Sequence, residues 1–218
     1  EYNLKLYART FSYYPSEVDD LMKCLDMIEN KDITVMSKSA PNDFFITDIF
    51  TYWVKDINYP VIIETDAAQE YNGQGIVASI FPKTLVKRMK YYRSLPNVVG
   101  FTSRMDRYKK SSVIGRPTEI NYYALRRAFE DTTVALDEIY NDFIAQKYGK
   151  QSIPYIKPAF KEATNIITSV YYTLGLMTSH HSQLTYDYVR SYAGYVPERW
   201  IDSSTVHVAH DVNKTFHY

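Results

Sequence analysis

Apolar and polar side chains alternate over Leu4, Leu6 and Ala8, and the chain then enters the aromatic-rich stretch Arg9-Thr10-Phe11-Ser12-Tyr13. A period of two predicts a strand running into a loop. Pro15-Ser16-Glu17 opens a helix, since proline suits a first helical turn. Val18, Leu21, Met22, Leu25 and Ile28 then recur on one helical face, with Cys24 beside the stripe. Residues 32–37 (Ile33, Val35) read as a second strand, Ala40-Pro41-Asn42-Asp43 as a loop, and 47–55 as a short helix. Pro60-Val61-Ile62-Ile63-Glu64-Thr65 is a run rich in β-branched residues, which predicts a strand buried on both faces of a parallel sheet. A long loop with Gly73 and Gly75 follows. Residues 83–94 form a helix with Leu85, Val86, Met89 and Tyr92 apolar, and 97–102 (Val98, Val99, Phe101) another buried strand.

The strand starts near 4, 33, 61 and 98 lie 29, 28 and 37 residues apart, the spacing of strand-helix units in a parallel α/β fold. After about residue 116 the pattern is helical. Pro117-Thr118-Glu119 starts a helix through Phe129, Leu136 to Tyr148 makes a second closed by Gly149, and 154–174 a third, with Pro158 restricting its first turn. The doublets Tyr91-Tyr92, Tyr122-Tyr123 and Tyr171-Tyr172 sit at helical positions and read as packing residues. Residues 178–218 show weak periodicity.

Composition narrows the function classes. Lys and Arg total 25 against 25 Asp and Glu, whereas a general nucleic-acid binder needs an excess of cations. No apolar run approaches the length of a membrane span. One cysteine excludes an internal disulfide framework and a multi-cysteine zinc site. Tyrosine occurs 22 times and glycine 7 times; the first suits wet, amphipathic surfaces such as carbohydrate clefts, and the second speaks against a phosphate-cradling loop. At 218 residues the chain amounts to about one and a half domains. It begins at Glu1 and stops at Tyr218 without an evident cap, so a piece of a longer chain is expected.

In a parallel α/β barrel, chemistry lies at the carboxyl ends of the strands. Every predicted strand exit here is ionisable: Arg9 after the first, Lys38 and Asp43 after the second, Glu64, Asp66 and Glu70 around the third, Arg104, Asp106 and Arg107 at the fourth. Single residues of this kind are often caps or solvated charges; four exits in a row with mixed signs point to a site. Glycoside hydrolysis needs two carboxyl groups across the scissile bond, and Gln69-Glu70-Tyr71-Asn72-Gly73 adds amide and phenol groups suited to sugar hydroxyls. No metal or cofactor is expected: His180 and His181 are adjacent and point apart, and His207, His210 and Asp211 lack a further spaced ligand. No serine sits in a glycine-flanked elbow.

The order of segments resembles the α-glucuronidases of glycoside hydrolase family 67. Four pieces carry the resemblance: Tyr7-Ala8-Arg9-Thr10-Phe11-Ser12-Tyr13; Ser37-Lys38-Ser39-Ala40-Pro41-Asn42-Asp43-Phe44; Glu64-Thr65-Asp66-Ala67-Ala68-Gln69-Glu70-Tyr71-Asn72-Gly73; and Asn121-Tyr122-Tyr123-Ala124-Leu125 with Glu138-Ile139-Tyr140. It covers about residues 4–150, and the second and third pieces are the specific ones. The resemblance implies the C-terminal half of a (β/α)8 TIM barrel, strands five to eight, over 1–116, and a helical C-terminal region over 117–218. It implies an inverting mechanism in which Asp43 and Glu70 hold and activate water while Arg9 and Lys38 bind the carboxylate of a uronic acid. Asp66, Tyr71 and Arg104 join them as substrate-binding candidates; Asp66 is expected to position Lys38 or Arg9, or to cap its strand, and Glu64 has no role to transfer. The family's general acid, a Glu on an earlier strand, has no counterpart in this sequence. The segment Thr102-Ser103-Arg104-Met105-Asp106-Arg107 departs from the family pattern, which extends the expected substrate to a related sugar.

Two other classes stay open. A non-catalytic carbohydrate-binding or interaction module fits the tyrosine count and the missing acid. A different barrel enzyme, an aldolase or a phosphate-handling one, is disfavoured by the absence of a glycine-rich loop and of a lysine projecting from a buried strand. Half a barrel exposes a strand edge and an apolar inner face, so the expected partners are a carbohydrate and either the missing barrel half or a second copy.

Overall fold

A computed structural model describes residues 5–12, 15–30, 32–39, 51–67, 79–104, 113–173 and 176–177. The alternating and β-branched runs form four strands, β1 (Leu6–Thr10), β2 (Ile33–Lys38), β3 (Val61–Asp66) and β4 (Val98–Arg104). They pair in parallel in chain order, β1-β2-β3-β4. Helix α1 (Pro15–Met27) lies between β1 and β2 in sequence, a 3-10 turn (Tyr52–Asp56) precedes β3, and α2 (Pro82–Arg93) precedes β4. Beyond β4, a 3-10 turn at Pro117–Glu119 runs into α3 (Ile120–Glu130), followed by α4 (Leu136–Tyr148) and α5 (Ile153–Tyr171). Two two-residue strands, β5 (Tyr172–Thr173) and β6 (Leu176–Met177), pair antiparallel after it.

Because side chains alternate across a strand, the register sorts them onto two faces. Ile33 and Val35 of β2, Val61 and Ile63 of β3, and Val98 of β4 share one face and are buried. The helical stripe predicted for α1 meets them there: Leu25 is buried, and Leu21, Met22 and Ile28 pack against the same cluster, together with Val54, Ile57 and Tyr92. A second cluster joins Leu85 and Met89 of α2 to Ala124, Leu125 and Ala128 of α3, and Phe101 of β4 packs against both clusters. Its ring lies 5.2 Å from that of Phe129. The third cluster, including Tyr140, Phe143 and Phe160, ties α4 to α5. Burying a side chain such as Ile63 contributes about 1.5–3 kcal/mol, so this face is where the layers gain their stability. Gly149 closes α4 at φ +89°, a backbone that side chains rarely adopt, and its N–H donates to the Ala145 carbonyl.

The opposite face differs from expectation. β3 was expected to be buried on both sides, yet Ile62 and Glu64 are only half-buried. β4 is buried at Val98 alone, and Val99 is exposed because the β3–β4 register shifts there: Val61 pairs with Val98, but Ile62 pairs with Gly100. The extra residue of this bulge is left out of the ladder. The predicted helix over 47–55 is a 3-10 turn at its described end, and 47–50 lie outside the described residues. The third predicted helix ends at Tyr171, where a short hairpin begins. No helix among the described residues is long and apolar enough to cross a membrane.

Candidate functional site

A parallel sheet delivers all of its strand exits to one edge. Lys38, the last residue of β2, pairs in register with Glu64, and Asp66, the last of β3, pairs with Arg104, the last of β4. Lys38, Glu64 and Asp66 fall on the same face by the two-residue period, away from the helix-covered side. Arg9 stands one residue before the end of β1 and pairs with Met36. Its guanidinium reaches past β2 to Glu64.

The resulting contacts form a continuous charged array. Arg9 donates from Nε and Nη2 to the two carboxylate oxygens of Glu64 at 2.5 and 2.8 Å. This is the fork geometry in which a guanidinium binds a carboxylate most strongly. Lys38 Nζ stands 3.7 Å from the same carboxylate, and Arg104 Nη2 2.7 Å from Asp66. The Arg9 guanidinium also lies over the Phe11 ring at 5.5 Å. The Tyr122 hydroxyl of α3 donates to the Arg104 carbonyl and holds the exit of β4 from behind.

Exposure divides the guanidiniums of this array from its carboxylates. The carboxylate side chains are the enclosed partners, Glu64 at 13% and Asp66 at 1% exposure, whereas Arg9 and Arg104 are 49% and 33% exposed. Lys38 is buried. The hydrogen bond from Arg9 holds the Glu64 carboxyl below its ordinary value; burial opposes this, and the charges of Lys38 and Arg104 reinforce it. Among the described residues three cations thus face two anions, and the two guanidiniums are more exposed than the acids that hold them. Such a layout can accept an anionic group of a ligand through charge-assisted hydrogen bonds. No three His, Cys, Asp or Glu side chains among the described residues gather as metal ligands. Cys24 is exposed on α1.

Of the residues predicted from sequence, Arg9, Lys38, Asp66 and Arg104 come together here, Arg9 and Lys38 on Glu64 and Arg104 on Asp66. Asp43, Glu70 and Tyr71 lie outside the described residues, as do Asp106, Arg107 and all the histidines weighed as ligands. The residue that sequence reasoning left without a role is Glu64, which takes both Arg9 and Lys38. The signal for it was present in part: Glu64 and Asp66 are two apart on a predicted strand and so share a face. Its pairing with Lys38 depends on register, which sequence does not supply. No protein-family model matches the chain, and no curated protein matches it.

Proposed function

We propose that the chain carries part of an inverting glycoside hydrolase of α-glucuronidase type, which removes a terminal uronic acid or a related sugar from a polysaccharide. The observation that carries this reading is the division of exposure at the strand exits, where enclosed acids hold Arg9 and Arg104 toward solvent. A uronate differs from a neutral sugar by one carboxylate, and a guanidinium fork with a nearby ammonium is the chemistry that recognises it. Arg9 and Lys38 bind that carboxylate, and Glu64 fixes the plane of the guanidinium. Asp43 and Glu70 hold and activate the attacking water, Tyr71 and Arg104 contact the ring hydroxyls, and the enclosed Asp66 orients Arg104. Inversion needs the acid and the base about 6.5–9.5 Å apart to admit that water. The general acid comes from residues that this sequence does not contain.

The architecture supports a half-barrel as the setting. Four parallel strands in sequential order, with helices gathered against one face, match a singly wound barrel segment, in which the other face lines the barrel interior. β1 and β4 are the edges of this sheet, and closing a barrel requires a partner along both. We assign that place to the missing barrel half, with a second copy of the chain as the other candidate.

The test is hydrolysis of glucuronoxylan fragments by the intact protein. Asp43→Ala and Glu70→Ala are each expected to lower kcat by several orders of magnitude. Turnover by both variants at the wild-type rate sinks the assignment.

A further inference from the structure

Two side chains of different chemistry meet the Arg9 guanidinium. Glu64 accepts from Nε and Nη2, the side edge of the group, at 2.5 and 2.8 Å. The Phe11 ring takes a flat face, with Arg9 Cζ over the ring at 5.5 Å from its centroid. The spacing explains why this ring is in reach. Side chains two apart fall on one side of an extended chain, and Phe11 follows directly on β1, two residues after Arg9. An exposed phenylalanine is ordinary by itself. This one is 39% exposed and lies against the cation that the array presents.

The two contacts do different things. The carboxylate fork sets the direction of the guanidinium, and the ring limits its swing out of that fork, because a cation is drawn to the negative face of an aromatic ring. At 49% exposure of Arg9 the ion pair is screened by water. A cation–π contact at an exposed site is of the same order as such a pair, so the ring is a hold comparable with the acid. A guanidinium carries five N–H groups, and its end edge, Nη1 with Nη2, points away from Glu64. A ligand carboxylate that forks on this edge needs it aimed before it arrives, since ordering it on binding costs affinity.

We propose that Phe11 is a positioning residue for uronate recognition, whose ring face aims the end edge of Arg9 at the sugar carboxylate. The contact stands on geometry; the identity of the sugar rests on the function proposed above.

The test replaces Phe11 in the intact protein by phenylalanines carrying one, two and three ring fluorines, which withdraw charge from the ring face and nearly keep its shape. Titration calorimetry with an aldouronic acid reads the outcome. Affinity is expected to fall stepwise with each fluorine, by about threefold to fivefold at the third, the scale of an exposed cation–π contact. The control is the same series at Phe129, whose ring lies 5.4 Å from Arg93 Cζ and packs against the core clusters; it leaves the affinity in place. Affinity that ignores fluorination at Phe11, or falls equally in the Phe129 series, overturns the proposal. Hydrogen exchange of the Arg9 Nε–H, followed by NMR without sugar, is expected to quicken with each fluorine at Phe11. If the wild type binds no uronate while this exchange follows the fluorine count, the functional reading fails and the hold on Arg9 stands. If the exchange does not move, the hold itself is refuted.

Discussion

Two arginine-centred clusters in this molecule are built from the same residue types in opposite ways. At the α3–α4 contact, Arg127 donates to Asp142 at 2.6 Å, to Glu138 at 2.7 Å and to the Tyr123 hydroxyl at 3.2 Å, and lies over the Tyr123 ring. Its side chain is 24% exposed, while the carboxylates of Glu138 and Asp142 are 51% and 41% exposed. Acids from solvent fold over an enclosed cation, whose proton is held more firmly than in an ordinary arginine, chiefly by the bond to Asp142. At the strand exits the order is reversed, the acids being the less exposed partners and the arginines the more exposed ones. The first arrangement uses the charge to fasten two helices. The second leaves the guanidiniums more exposed than the acids that hold them, and the proposed uronate site rests on that difference.

Arg127→Ala is the sharpest way to separate the two. It is expected to cost about 1–2 kcal/mol of stability, after allowing for solvent screening of its partly exposed partners, and to leave uronate binding unchanged. Denaturant midpoints for this variant and for Arg9→Ala put the comparison on one scale. Arg9→Ala should cost less stability, because half of that side chain is already in water.

Glu64→Gln probes the display from beneath. It keeps the shape and removes the charge that orients Arg9 and Lys38, at an expected cost of about 1 kcal/mol near neutral pH. The pH dependence has a definite sign. Arg9 first, then Lys38, lower the Glu64 carboxyl from its ordinary 4.5. Its stabilisation is therefore complete above that value and is lost as pH falls through the depressed native value. The stability gap between wild type and Glu64→Gln should hold above about pH 5 and close as the pH falls through the depressed native value. A gap that widens on acidification contradicts the assigned partners. The smallest effect is expected at the solvated i,i+4 pair of Arg126 with Glu130: Arg126→Ala leaves the denaturation midpoint in place, which makes it the control for losing an arginine as such.

Much of the fold is legible in the sequence, for local reasons. Strand and helix periods place β1 to β4, α1, α2 and α4 within a residue or two, because each element buries one clean face. The misread segments are those where the local pattern is ambiguous. Trp53, Val54 and Ile57 have helix-like spacing but make only a short 3-10 turn, and Val98-Val99 reads as a buried pair although the bulge turns Val99 outward. At the site, Arg9, Lys38, Asp66 and Arg104 could be named from their positions at strand exits. Glu64 could not be given its role, since that role follows from register across β2 and β3. Tyr92 and Asn121 look like ordinary helix residues in sequence, and only tertiary structure brings the Ser39 hydroxyl to the first and the Ser79 carbonyl to the second.

The central claim is that the strand exits display cations for a carboxylate-bearing sugar. Titration calorimetry of the protein with an aldouronic acid and with a neutral xylo-oligosaccharide tests it most directly. The acidic sugar is expected to bind more tightly than the neutral one, and Arg9→Ala to weaken the acidic sugar alone by about tenfold or more, the scale of a lost charge-assisted pair. Neutral-sugar binding of equal strength that ignores Arg9→Ala would contradict the claim and leave a carbohydrate-binding module in its place.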